Sequence, residues 1–230
     1  MNNEKKDEIL SELKLKLLCL VCDTLRWPQA YCDNPQKVKA IVLGCDPSNK
    51  NSHNLKYAFG INTNVPRLKG FFKSIETNLH EIGLGKEVVY VQNLCQNYFR
   101  DETGKNPRWK DAAAICIPYL NEELAVLPDS VPVFLTAEIL YRVLLKDGIR
   151  PKSASYLYSH PVEALIPPSQ NKLGRVLFPF YRFDRGERSY HLSKENYRPY
   201  RMALSKRFDT SIKRQVKDIT IEVVEDRELT

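Results

Sequence analysis

The chain carries a carboxylate, a carboxamide and an imidazole at positions that a fold of alternating strands and helices would bring together. Asp46 stands in Gly44-Cys45-Asp46-Pro47-Ser48-Asn49, Asn93 comes directly after Gln92, and His160 lies between Ser159 and Pro161. A carboxylate can orient or deprotonate water, an imidazole can donate or accept a proton, and an amide presents a donor beside an acceptor. Singly, each residue has a plainer use. Asp-Pro opens turns, Asn caps them, and a loop histidine is often just hydrogen-bonded in place. Whether the three form a site depends on the elements that hold them.

Those elements can be read from the spacing of apolar residues. Residues 4–26 place Ile9, Leu13, Leu17, Leu20, Val21 and Leu25 on one side of an amphipathic helix, ended at Trp27-Pro28. Short, nearly continuous apolar runs predict strands at 38–44, 87–91, 131–135 and 154–158. Helices are predicted at 66–82, 107–127, 137–146 and 193–207, and a late strand-like run at 219–224. The alternation predicts an α/β fold, a three-layer α/β/α sandwich around a central, mainly parallel four-stranded sheet. One domain is expected over 1–208, with the N-terminal helix 4–26, the core 38–165 and a basic, aromatic-rich segment 171–208; 209–230 reads as an appendage. Ligands of such sheets bind beyond the carboxyl ends of the strands. Asp46, Asn93 and His160 each come just after a predicted strand, so they are expected at one edge.

Composition narrows the function classes. The chain has 230 residues and a net charge of +7. Between residues 171 and 208 lie ten Lys/Arg, among them Arg175, Arg182, Arg185 and Arg188, against three acids. Interleaved aromatics there favour a nucleic-acid surface over a merely solvated face. No G-x-G-x-x-G comes after the first strand and no G-x-x-x-x-G-K-[ST] occurs, which disfavours dinucleotide and triphosphate chemistry. Residues 1–8 carry five charges and no apolar run reaches the ~18 residues of a membrane span, so a cytosolic protein is expected. Its six cysteines then read as reduced thiols.

Four segments resemble the uracil-DNA glycosylases. Ile41-Val42-Leu43-Gly44-Cys45-Asp46-Pro47 is similar to that family's first motif, Gly-Gln-Asp-Pro-Tyr-His, and Ser159-His160-Pro161 to its second, His-Pro-Ser. Tyr57-Ala58-Phe59-Gly60-Ile61 resembles the segment whose phenylalanine stacks on uracil, and Val89-Tyr90-Val91-Gln92-Asn93 the strand ending in the uracil-reading asparagine. The resemblance implies a DNA glycosylase that hydrolyses the bond to uracil, or to a related deaminated or damaged base, flipped out of DNA. It implies Asp46 and His160 as catalytic residues. Cys45 (through its backbone N–H), Phe59, Asn93 and Ser48 would contact the base. Ser48 replaces the tyrosine that crowds out thymine, which leaves base selectivity open. The duplex-filling leucine corresponds to Ala164, with Leu165 beside it as the DNA-binding substitute.

A second branch, which carries an iron–sulfur cluster, also resembles the chain in Cys19-Leu20-Val21-Cys22 and Cys116-Ile117-Pro118-Tyr119-Leu120. The reading adopted is no cofactor, with a [4Fe–4S] cluster on Cys19, Cys22, Cys95 and Cys116 as the alternative. Cys95 lies two residues before the expected ligand position, where Asn97 stands. Two further function classes stay open: an inactive nucleic-acid-binding relative, and an enzyme acting on free nucleosides or nucleotides.

Overall fold

Ala40–Gly44 (β2) and Val89–Asn93 (β3) are adjacent parallel strands in which every residue is buried, as expected of strands covered on both faces. The computed structural model describes residues 3–17, 21–22, 26–47, 55–64, 66–180 and 195–208. Val133–Leu135 (β5) pairs with the other side of β2, and Leu177–Pro179 (β6) pairs with β5. The central sheet is therefore four-stranded and all parallel, in the order β3-β2-β5-β6. Helices α2 (Pro66–His80), α3 (Trp109–Leu124), α4 (Glu138–Leu144), α5 (Ala154–Ser159) and α6 (Arg198–Phe208) flank it in an α/β/α sandwich.

Two of the expected elements differ. The first helix, α1 (Asn3–Leu17), stops well short of residue 26, and Val21–Cys22 forms a short strand, β1, antiparallel to Tyr98–Phe99 (β4). Ile9, Leu13 and Leu17 still give α1 one buried stripe, packed on α3. The run at 154–158 is helical, not the fourth strand. The Ser153 side chain accepts from the Tyr156 N–H and caps the helix, whose aromatic-rich Tyr156-Leu157-Tyr158 suggests a strand by composition. The fourth strand is β6, hidden in the sequence by Pro179, which an edge strand tolerates because one side needs no ladder donor.

The basic segment contributes to the core. Phe180 stacks on Phe134 at 4.6 Å and 11°, Phe178 is buried, and the fully buried Tyr200 donates its hydroxyl to the Pro179 carbonyl at 2.7 Å. These aromatics, expected at a nucleic-acid surface, instead fasten β6 and α6 to the sheet. The run at 219–224 and the appendage 209–230 lie outside the described residues. No helix among the described residues is long and apolar enough to cross a membrane.

Candidate active site

The paired strand ends come first. Gly44 of β2 is in register with Asn93 of β3, and the pairing continues past both strands, with the Leu94 N–H donating to Gly44 O at 2.8 Å and Cys95 N–H to Cys45 O at 2.9 Å. Asp46 is the next residue. A carboxylate and an amide from different strands thus share the carboxyl edge of the sheet, as their positions in the sequence predict.

Phe59 joins them from a separate loop. The segment is tied back to the sheet through residues 29–31: Ala58 N–H donates to Gln29 O at 2.8 Å, and Tyr31 exchanges backbone hydrogen bonds with Val91. The Tyr31 and Tyr57 rings meet edge-on at 5.6 Å. At Phe59 the backbone takes φ 59°, a left-handed conformation that a bulky residue adopts only when its surroundings enforce it. The result is a buried ring whose edge shares the space over Gly44 with the Asn93 amide oxygen. Any side chain at Gly44 would overlap both.

Asp46 is held from the other side. Its Oδ1 accepts from the Trp109 indole N–H at 2.7 Å and from the Thr103 hydroxyl. Trp109 is the first residue of α3, and Asn106-Pro107 sets that start: the Asn106 side chain accepts from Arg108 N–H at 3.0 Å. The carboxylate is thus tied to the side chain of the first residue of a 16-residue helix. Neither Trp109 nor Thr103 stands out in the sequence; only the Asn-Pro helix start hints that something is being placed there.

Asn93 has its own brace. Its N–H donates to Gln92 Oε1 at 2.9 Å, and Gln92 Nε2 donates to Glu123 Oε1 at 2.8 Å. The Tyr90 hydroxyl adds a 2.6 Å bond to the same oxygen, and Gln96 donates to Oε2. Burial, then the Glu123 carboxylate, pushes the Tyr90 phenol far above its ordinary range. This network borders a cavity of about 600 Å³ behind β3. Sequence reasoning misses it as well, because nothing in spacing links residue 92 to residue 123.

His160 approaches from the far side of the sheet. It comes after α5, not after a strand, and the chain beyond it runs antiparallel to β6 through Ile166 and Leu177, arriving from the carboxyl edge. β6 lies two strands from β2, a gap of ~10 Å at the usual strand spacing. The exposed imidazole stacks on Tyr156 at 4.0 Å and 10°, with Nδ1 2.9 Å from the Tyr156 carbonyl oxygen. A carbonyl only accepts, so Nδ1 bears the hydrogen and Nε2 is directed elsewhere. Tyr156 in turn bonds Glu163, whose carboxyl is held below its ordinary range by Lys152 first and Tyr156 second.

The remaining expectations divide. Ser48, Arg182, Arg185 and Arg188 lie outside the described residues. Cys45 is half-buried at its expected place after β2. Leu165 is half-buried and packed on the core, while Val162, two residues after His160, is 91% exposed and is the apolar side chain this turn presents to solvent. Arg175 is corrected outright. It is buried, and its guanidinium donates to the carbonyls of Leu124, Leu127, Pro128 and Val131, closing the end of α3 where intrahelical donors run out. It has no surface to offer to DNA.

For the alternative cofactor, the described residues supply two adjacent thiols. Cys95 and Cys116 are buried and hydrogen-bonded to each other, and burial, then that bond, holds the Cys95 proton well above the ordinary thiol range. The register of β1 with β4 sets the backbone of Cys22 opposite Tyr98, but the Cys22 side chain and Cys19 lie outside the described residues. Asn97, at the remaining ligand position, is fully buried with an unpartnered amide oxygen. Among the described residues no group of three or more His, Cys, Asp or Glu is arranged around a metal.

No protein-family model and no curated protein matches the chain.

Proposed function

We propose that the protein is a DNA glycosylase that hydrolyses the N-glycosidic bond of uracil, or of a related deaminated or damaged base, flipped out of DNA. The observation that carries this reading is the meeting of the Phe59 ring and the Asn93 amide over Gly44, beside a carboxylate already oriented by two donors. An aromatic face and an edge-reading amide fit a planar base; a carboxylate next to them fits the cationic sugar and the water that attacks it.

In this reading the base stacks on Phe59, and Asn93 pairs with its N3–H and O4, a pattern that cytosine reverses. As the bond breaks, negative charge builds on the base and positive charge on the sugar. The Cys45 backbone N–H and His160 would donate toward O2, and preorganised donors of this kind are commonly worth ~3 kcal/mol each. Asp46 would stabilise the sugar and orient or deprotonate water. Val162 replaces Leu165 as the apolar side chain offered to the gap in the duplex. α6, with Arg198, Arg201, Lys206 and Arg207, packs against α5 and would face the DNA backbone near His160.

The test is incubation with single-stranded and duplex oligonucleotides containing uracil, with alkali added afterwards to reveal abasic sites. Strand cleavage by wild type that Asp46→Asn abolishes supports the reading. Equal inertness of both on every deaminated base tried leaves the inactive binding relative in its place, and release of the base from free nucleosides but not from DNA leaves the small-substrate enzyme.

A further inference from the structure

We propose that Trp109 and Thr103 are positioning residues that anchor the Asp46 carboxylate through Oδ1 in the orientation its reaction uses; the inference rests on the glycosylase reading above. Both donors converge on one oxygen of one carboxylate, from 63 and 57 residues further along the chain. Neither contact is local, so each exists only because the tertiary structure brings it there.

The two donors are themselves held. Trp109 is fully buried, and its backbone N–H donates to the Asn106 carbonyl at 3.2 Å as the first turn of α3 begins. Thr103 sits in the tight turn closed by the Lys105 and Asn106 N–H groups, which both donate to Glu102 O, at 2.8 and 2.9 Å. Asp46 itself lies in the loop beyond β2, and the terminal torsion of a carboxylate is intrinsically broad. Two fixed donors on Oδ1 narrow that torsion before substrate arrives. Catalysis gains when the reacting group need not be ordered at the moment of reaction. A purely structural indole would need an acceptor but not this one; here the acceptor is the carboxylate assigned to the chemistry.

The experiment uses the full chain and Thr103→Val, Thr103→Ser and Trp109→Phe variants, with uracil release from a single-stranded oligonucleotide as the activity. Thr103 is half-buried and valine nearly isosteric with it, so this variant guards against a fold lost on altering the buried indole. Thr103→Val and Trp109→Phe are each expected to lower kcat roughly tenfold, the loss of one charge-assisted hydrogen bond, with KM within about twofold of wild type. Thr103→Ser is expected to restore kcat. The Trp109 indole N–H resonance, identified by its absence in Trp109→Phe, is expected to move upfield in Asp46→Ala. An active enzyme whose kcat is unchanged in both variants, or whose indole resonance ignores Asp46→Ala, overturns the anchoring while the glycosylase reading stands. Wild type that releases no base strikes out that reading and the positioning role with it, even if the resonance shifts.

Discussion

Phe59 and Asn93 meet over Gly44, where the edge of the ring and the amide oxygen both occupy the space a β-carbon would take. The absence of a side chain at residue 44 is what lets an aromatic ring and a carboxamide come so close. Gly44→Ala is therefore expected to push both groups aside and to reduce uracil release by at least about a hundredfold, the usual penalty for misplacing reacting groups by ~1 Å. The strand has no left-handed backbone at this position, so folding should survive; activity and thermal melting measured together separate the two effects.

His160 carries its hydrogen on Nδ1, facing the Tyr156 carbonyl. A neutral ring then offers only a lone pair at Nε2, and donation from Nε2 requires the imidazolium. His160→Ala is accordingly expected to slow uracil release, and a variant that releases uracil as fast as wild type would remove the imidazole from the reaction.

Arg175 and the exposed cations of α6 should separate in experiment. Arg175→Ala leaves carbonyls at the end of α3 without their donor and should cost about 2–4 kcal/mol of stability, read by denaturant unfolding, with the salt dependence of DNA binding intact. Lys206→Ala combined with Arg207→Ala should do the reverse. Stability stays nearly constant, and the slope of log affinity against log salt falls by about one for each cation removed.

Val162 is exposed at the turn after His160, while Ala164 and Leu165 face the core. Val162→Ser is expected to slow base release from duplex about tenfold and from single strands hardly at all, since only a duplex has a gap to fill. Leu165→Ser should instead lower the protein's melting temperature and leave the ratio of duplex to single-strand rates unchanged.

Tyr31, which links the Phe59 loop to β3, predicts an alkaline limit to stability. Burial, then the hydrogen bond to Asp33, raises its phenol from 10.0 to about 12. The folded state thus holds a proton that the unfolded chain releases from pH 10 upward. Its contribution is intact below 10 and is lost as pH climbs towards 12. Tyr31→Phe should flatten unfolding free energy against pH over that window.

The sequence alone determined the parallel sheet and the edge of it at which Asp46 and Asn93 emerge. β2 and β3 are short apolar runs buried on both faces, and the residue after a parallel strand must emerge at the sheet's carboxyl edge, so Asp46 and Asn93 were legible by position. Phe59 was legible only by resemblance. Local pattern failed at residues 154–158, where Tyr156-Leu157-Tyr158 suits a strand or one helical turn equally and the Ser153 cap decides, and at β6, whose Pro179 is tolerable only at a sheet edge. Tertiary structure alone decided what the charged residues do. A count of cations cannot distinguish Arg175, spent on the carbonyls of α3, from Lys206 in solvent, because burial is a property of the packed chain. The same holds for Trp109 and Thr103: hydrogen bonds across about sixty residues leave no periodicity to read, and they exist only once α3 has docked against the end of β2.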